Sequence, residues 1–209
     1  MLVIFLALLP MVQQAQLLVD PTSSREEKRR LKGNVKVAKL SRKITADKVT
    51  EEEKVTAIYR WVTRHIHYDK RSYRFHIIKP AEPWYVLRRR KAVCAGYATL
   101  FKRLCANVGI ESHFVIGHAK GLDYREGERF LRGEHAWNSV LIGGEWRLLD
   151  PTWGSGCAIL RKQLLKKLQF KLFGTPYLPK IRIVHRPNMD WLFVPPQEMV
   201  WSHLPVDPK

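Results

Sequence analysis

The sequence predicts an α+β domain in which helices pack against an antiparallel β-sheet. Apolar residues recur at helical spacing in two segments, within residues 45–70 and 93–110. A later stretch, "EHAWNSVLIGGEWRLLDPTWG" at residues 134–154, carries two strand-like runs on either side of Gly143-Gly144. A glycine pair between such runs is typical of a hairpin closed by a two-residue turn. Two helices and a hairpin therefore define the predicted class.

The first predicted helix lies in "TADKVTEEEKVTAIYRWVTRHIHYDK", where Thr45 or Asp47 is expected to cap its amino end. Its apolar positions follow helical spacing: Val55, Ile58, Tyr59, Val62 and Ile66. Residues 68–84 then contain two prolines and predict a loop with short extended pieces.

The second predicted helix lies in "VCAGYATLFKRLCANVGI" and ends at Gly109, a residue that favours a helix C-terminus. Its apolar stripe consists of Tyr97, Leu100, Phe101, Leu104 and Val108. The following "ESHFVIGHAKG" predicts a strand that leads towards the hairpin.

The hairpin register brings an acid and an imidazole together. If Gly143-Gly144 forms the loop, Ile142 faces Glu145, and counting back places Trp137 opposite Asp150. Residues two apart share a face of a sheet, so His135 and Asp150 point the same way. As diagonal neighbours their backbones lie about 7–8 Å apart, a distance that the two side chains can bridge.

Cys94 stands at the start of the second helix, where backbone N–H groups and the helix dipole stabilise a thiolate. Small residues surround it and leave room for an acyl group: Ala92, Ala95, Gly96 and Ala98. The alternative is a buried cysteine that acts as a small apolar residue, which is our expectation for Cys105 and Cys157. The three cysteines match no zinc spacing, and a disulfide scaffold is not expected.

Chain length and net charge limit the number of domains and the possible binding partners. A chain of 209 residues with 45% hydrophobic content can bury the core of one domain with tails. Its 37 Lys and Arg residues against 19 Asp and Glu residues give a net charge of +18. Such a charge predicts attraction to an anionic membrane or cell-surface polymer, or it serves solubility alone. Nucleic acid is disfavoured because no nucleic-acid-binding module is recognisable.

Three segments are predicted along the chain. Residues 1–16, "MLVIFLALLPMVQQAQ", resemble a signal peptide with cleavage after Ala15, although no basic residue precedes the apolar run. A secreted or cell-envelope location is therefore expected, and a buried N-terminal segment in a cytoplasmic protein is the alternative. Residues 17–45 are polar and basic and predict a linker or poorly ordered arm. Residues 46–209 form the predicted domain.

Four motifs carry a family resemblance. "RRRKAVCAGYATLFKRLC" and "GEHAWNSVLIGGEWRLLDPTWG" resemble the transglutaminase-like superfamily of papain-like cysteine enzymes. "EEKVTAIYRWVTRHIHYD" and "WLFVPPQEMVWSHLP" resemble its kyphoscoliosis-peptidase-like branch. The resemblance covers most of residues 46–205 and implies a papain-like fold with Cys94, His135 and Asp150 as catalytic residues. One departure is Ala92, where the family usually has glycine.

The resemblance implies a mechanism in which Cys94 attacks an amide or ester carbonyl and forms a thioester. His135 would accept the thiol proton, Asp150 would orient the imidazole, and the Cys94 N–H would supply an oxyanion donor. The expected substrate is a protein or peptide. Either water or an amine would then attack the thioester and release the acyl group. The alternative is an inactive scaffold that keeps the fold and binds protein or an anionic surface.

Further residues have secondary predicted roles. Trp137, Trp146 and Trp153 are expected in the core and pocket wall beside the catalytic residues. The resemblance suggests Trp84 as a side chain that completes the oxyanion site, and Asn138, on the opposite face from His135, is expected to serve structure. No acidic cluster suitable for calcium is present, so we predict no metal and no cofactor. The basic residues 160–173 predict an amphipathic helix that lies on the core or touches a membrane.

Overall fold

The described part of the chain consists of helices at its start and a curled sheet behind them. The computed structural model describes residues 21–121, 135–160 and 181–206. The helices in these ranges are α1 (Pro21–Ile44), α2 (Glu51–His65), α3 (Lys70–Arg74), α4 (Pro83–Arg89), α5 (Cys94–Ala106) and α6 (Pro196–Met199). The strands are β1 (His67–Tyr68), β2 (Lys91–Ala92), β3 (Ser112–Ala119), β4 (His135–Ile142), β5 (Glu145–Leu149), β6 (Gly156–Leu160), β7 (Ile181–His185), β8 (Leu192–Val194) and β9 (His203–Pro205).

Five strands form the main sheet in the order β8-β5-β4-β3-β9, and every neighbouring pair is antiparallel. The predicted hairpin register is confirmed, because the β4–β5 ladder runs from Ile142 opposite Glu145 to Asn138 opposite Leu149. Both loop glycines have positive φ angles, +58° and +85°, which a tight turn of this hand requires. The predicted α+β class is therefore correct.

The main core lies between the helices and one face of this sheet. Its fully buried side chains come mainly from α1, α2, α5, β4 and β5, with Tyr59, Tyr97 and Phe101 the largest. A smaller cluster on the other face contains Trp137, Val194 and Met199. Helix α5 packs directly on β4 and β3, so the element that begins with Cys94 is held against the sheet.

Two local signals place the ends of the predicted helices. Helix α2 is capped by Thr50, whose side chain accepts the Glu53 N–H while Glu53 accepts the Thr50 N–H. The expected cap at Thr45 or Asp47 was wrong, because this reciprocal capping box lies one turn later. After α5, Gly109 adopts a positive φ of +78°, as its position predicted.

Residues 21–44 form a helix, where their composition had predicted a linker or poorly ordered arm. Charge density alone suggested disorder, but Val37, Leu40 and Ile44 fall on one side of a helix and pack against the core. Val37 is fully buried in the main core, and α1 packs on α4, α5 and α2. Contact with distant elements therefore orders a segment whose local sequence is strongly charged.

Other predicted segments lie outside the described residues. The apolar residues 1–16 are among them, and so is nearly all of the predicted helix at 160–173, whose first residue, Leu160, ends β6 instead. Within the described ranges, no helix is both long and apolar enough to cross a membrane.

Candidate active site

Two strand ends bring His135 and Asp150 together. His135 is the first residue of β4, and Asp150 directly follows β5. Antiparallel pairing therefore places both residues at the same end of these two strands. The His135 Nε2 and Asp150 Oδ2 atoms are 2.7 Å apart. This contact confirms the diagonal pair that the hairpin register predicted.

Asp150 is fully buried, and its carboxylate is surrounded by donors. Its Oδ1 accepts the N–H groups of Thr152 at 2.7 Å and Trp153 at 3.1 Å. Its Oδ2 contacts His135 and also His203, whose Nε2 lies 3.2 Å away. Burial works against the charged form, but His135 and His203 outweigh it and hold the pKa of Asp150 well below its usual range. The site therefore contains a fixed negative charge.

His135 is the counterpart of that charge. Burial disfavours its imidazolium, but the Asp150 charge and hydrogen bond, together with a hydrogen bond to the Cys94 sulfur, raise the pKa of His135 to about 10. Because Nε2 faces Asp150, Nδ1 is the ring nitrogen left to face Cys94. The side chain is only 10% exposed. His135 can therefore hold a proton between the thiol and the acid.

Cys94 is the first residue of α5 and follows the extended N-cap Val93. It is half-buried, and it forms no disulfide, nor does the fully buried Cys105. Burial raises the pKa of Cys105, which matches its predicted role as an apolar core residue. Cys94 by contrast lies where helix N–H groups point outwards and favour an anion.

Asn138 fixes α5 against the sheet. Its side-chain amide donates to the Ala98 carbonyl of α5 at 3.2 Å and to the His113 carbonyl of β3 at 3.0 Å. Asn138 is fully buried on the face of β4 that meets the helix, whereas Trp137 belongs to the cluster on the other face. Its predicted structural role is confirmed, and it helps to set the position of the helix that carries Cys94.

Ala92, the departure from the family pattern, lies in the main core. Its methyl group lies over the first turn of α5, since a Cβ on Gly96 would come within 2.6 Å of it. The absence of a side chain at Gly96 therefore creates the space that Ala92 fills. The Ala92 methyl group contributes to the packing beneath the helix that Cys94 begins.

The predicted tryptophans divide into two groups. Trp137 and Trp153 flank the imidazole of His135, with ring centroids 6.0 and 5.7 Å from it. Trp146 shares the strand face but lies at the far end of the hairpin and is 44% exposed, so its expected place beside the site was wrong. Trp84 packs near Gly33 of α1 and under the Arg88 guanidinium. Its suggested oxyanion role stays a prediction.

His203 is the site residue that the sequence analysis missed. It comes from β9, which joins the sheet by pairing with β3, more than 80 residues earlier in the chain. No local pattern predicts this pairing. The only signal was the position of His203 within the C-terminal motif "WLFVPPQEMVWSHLP". Among the other histidines, His65, His67 and His113 are exposed and His118 is half-buried.

His135, Asp150 and His203 each offer one ligand atom, and these atoms lie within 4.8 Å of one another. Their spacing is nevertheless that of hydrogen bonds. Two ligands of a tetrahedral zinc ion, each about 2.0 Å from the metal, lie about 3.3 Å apart. The 2.7 Å between His135 Nε2 and Asp150 Oδ2 is shorter and suits a shared proton.

Comparisons with known proteins identify the family of the chain. A family model described as the transglutaminase-like superfamily matches residues 38–151, more than half of the chain. Kyphoscoliosis peptidase of Homo sapiens is 39% identical over 157 residues, which cover 72% of this chain and 23% of that protein. Hillarin of Drosophila melanogaster is 29% identical over 134 residues, which cover 61% of this chain and 16% of that protein. The chain spans less than a quarter of the length of these relatives.

Two solved structures are similar over part of the chain. A candidate cysteine protease from Cytophaga hutchinsonii superposes with a TM-score of 0.47 at 25% identity, covering 57% of this chain and 37% of that one. A structure described as a TGase superposes with a TM-score of 0.46 at 20% identity, covering 75% of this chain and 38% of that one.

Proposed function

The chain belongs to the transglutaminase-like superfamily, in its kyphoscoliosis-peptidase-like branch, and we propose that it is a cysteine enzyme that transfers acyl groups from a protein or peptide amide. The observation that supports the proposal most strongly is the buried pair of His135 and Asp150, 2.7 Å apart. The interaction of His135 with Cys94, which contributes to the raised pKa of the imidazole, supports Cys94 as the third member. In the proposal, Cys94 is the nucleophile, His135 carries the proton and Asp150 orients the imidazole.

The proposed first step forms a thioester. The Cys94 thiol gives its proton to His135 Nδ1, and the thiolate attacks the carbonyl carbon of the substrate. A carbon–sulfur bond forms, and the carbonyl oxygen becomes an oxyanion near the amino end of α5. His135 then protonates the leaving amine as the carbon–nitrogen bond breaks.

The second step releases the acyl group. His135 removes a proton from water or from an acceptor amine, which attacks the thioester carbonyl and expels the Cys94 thiolate. Water gives a carboxylic acid and makes the chain a peptidase; an amine gives a new amide and makes it a transamidase. Asp150 remains ionised throughout and stabilises the imidazolium, consistent with the lowered pKa of its carboxyl group.

Reactivity of the thiol tests this proposal without knowledge of the substrate. Iodoacetamide should alkylate Cys94 much faster than Cys105, which is an internal control because it is fully buried and burial raises its pKa. Replacing His135 by Ala should slow alkylation of Cys94 at neutral pH by about tenfold or more, since the imidazolium no longer stabilises the thiolate. Mass spectrometry of time-quenched samples gives both rates.

Equal alkylation of Cys94 in the wild type and the His135→Ala variant would contradict the enzyme proposal. That result would favour the inactive scaffold, which keeps the fold and binds through the same cleft. If Cys94 reacts as expected, a pool of peptides mixed with a small primary amine distinguishes peptide hydrolysis from transamidation. Hydrolysis produces new carboxyl ends, whereas transamidation attaches the amine.

A second function, attachment to an anionic surface, is supported by α1. Its solvent-facing side carries five exposed basic residues spaced along one helical face: Lys28, Lys32, Lys36, Lys39 and Arg42. The same face exposes two aliphatic side chains, Leu31 at 57% and Val35 at 53%. Basic groups can bind lipid phosphates while aliphatic groups enter the headgroup layer. We propose an anionic membrane surface as the partner of this face.

A further inference from the structure

His203 is enclosed next to the proposed catalytic acid. Its side chain has no exposed surface, and its Nε2 lies 3.2 Å from Asp150 Oδ2. On the other side of the ring, Nδ1 lies 2.8 Å from the Ser202 hydroxyl. Each ring nitrogen therefore has one polar partner, and the ring links β9 to Asp150.

The ring of His203 is also fixed by its aromatic neighbours. Ring centroids of Trp153, Trp137, Trp191 and His135 lie 4.4, 4.9, 5.4 and 5.4 Å away. The backbone of His203 is held as well, because it pairs with Ala119 of β3. Rotation of the imidazole would require these indoles to move, so its Nε2 has little freedom to leave Asp150.

We propose that His203 is a positioning residue, which holds the Asp150 carboxylate in the orientation that His135 needs. The inference rests on the proposed function. Two backbone N–H groups hold Oδ1, so rotation of the carboxylate depends on what holds Oδ2. His135 is 10% exposed and would exchange a proton through Nδ1 during the reaction, whereas His203 is closed off from substrate and takes no part in proton transfer. His203 is thus a second, fully enclosed donor at Oδ2.

This arrangement requires a proton on His203 Nε2, because a carboxylate can only accept. Other titratable groups around the ring are His135 and Asp150, with Cys94 beyond His135. Tyr59 approaches from α2, its hydroxyl 3.5 Å from the Asp150 main-chain oxygen. Apart from His135, none of these groups donates to Oδ2. Loss of His203 would leave this buried acceptor with a single partner, which itself takes part in the proposed proton transfer.

The test compares three replacements at position 203. Ala removes the donor; Gln places an amide where Nε2 stands; Asn places one near Nδ1, which can meet Ser202 but falls short of Asp150. We expect His203→Ala and His203→Asn to slow Cys94 alkylation at neutral pH by about tenfold, and His203→Gln to stay within about threefold of wild type. Once a substrate is found, the loss should fall on kcat and not on KM.

Two results would overturn the inference. One is a His203→Ala variant that circular dichroism shows to be folded, and whose Cys94 alkylation rate matches the wild type at every pH tested. The other is a nitrogen-15 NMR spectrum of the wild type that shows His203 Nε2 without a proton, and this measurement needs no variant to fold. A wild-type Cys94 that reacts no faster than Cys105 would instead refute the proposed function, so the two failures are distinguishable.

Discussion

At the scale of single residues, the pair of His135 and Asp150 couples the proposed chemistry to the stability of the fold. His135 is protonated more readily in the folded protein, where its pKa is about 10, than in an unfolded chain, where a histidine has a pKa of about 6.5. Its pairing therefore stabilises the fold fully below about pH 6.5, and this contribution is lost as the pH rises towards 10.

Urea unfolding at pH 6.5, 8 and 9.5 measures this coupling. We expect the stability advantage of the wild type over His135→Ala to shrink by a few kcal/mol across this range, because the charged pair is progressively lost. Subtracting the two proteins cancels groups that titrate equally in both. A constant difference across the three pH values would mean that His135 is not protonated preferentially in the folded state.

At the scale of secondary-structure elements, the first turn of α5 depends on a matched pair of small residues. Ala92 of β2 fills the space above Gly96, where a Cβ would lie 2.6 Å from the Ala92 Cβ and 3.0 Å from a methyl group of Val86. The methyl group at position 92 is therefore accommodated by the helix and need not crowd the substrate.

Exchanging the two residues tests this pairing. Gly96→Ala alone should destabilise the protein by about 1–3 kcal/mol through overpacking, partly offset by the better helix propensity of alanine. Adding Ala92→Gly should restore most of the loss, and thermal unfolding measures both. Ala92→Gly by itself should leave the Cys94 alkylation rate unchanged or raise it. A double variant no more stable than Gly96→Ala would show that the two positions do not compete for space.

The secondary-structure elements also show which parts of the fold and of the site could be predicted from the sequence. The glycine pair fixes a two-residue loop, and the register then brings His135 and Asp150 together by counting alone. Cys94 was identified by its place at a helix start among small residues. The docking of α1 and the approach of His203 depend on contacts between segments far apart in the chain, which periodicity and turn signals do not report.

At the scale of the whole molecule, part of the net charge of +18 can be assigned to particular elements of the fold. Helix α1 packs on α4, whose end leads into the basic run from Arg88 to Lys91 shortly before Cys94. Two basic segments that are distant in sequence therefore lie on, or directly after, neighbouring helices. Removal of α1 is a poor test of its charge, because Val37 is fully buried and deletion would open the core. Charge reversal on its solvent face leaves those contacts intact.

Binding to vesicles tests the anionic-surface proposal. The Lys32→Glu, Lys36→Glu, Lys39→Glu triple variant should lose most of its binding to vesicles that contain phosphatidylserine. A matched control with reversals at the exposed Arg60, Lys70 and Lys102 has the same net charge and should bind nearly as the wild type does. Wild-type binding should also weaken with salt, as the Debye length falls from about 10 Å at 0.1 M to about 3 Å at 1 M.

Two vesicle results would contradict the proposal. Equal losses in the triple variant and its control would mean that net charge, and not the α1 face, drives binding. Failure of the wild type to bind at low salt would leave the charge with a solubility role alone. Tighter binding to DNA than to vesicles, lost in the same triple variant, would replace the membrane by a nucleic acid as the partner of this face.

The pairing of β9 with β3 has a consequence for how the protein is made. A chain leaving the ribosome presents Cys94 first, His135 and Asp150 next, and His203 more than 50 residues after Asp150. Long-range pairing of this kind forms late, because the chain between the strands must first be closed into a loop. On the arrangement proposed here, the thiol gains its full reactivity only once β9 has been synthesised and has docked. The order of synthesis thus delays activity until β9 is in place, which spares the nascent chain from its own nucleophile.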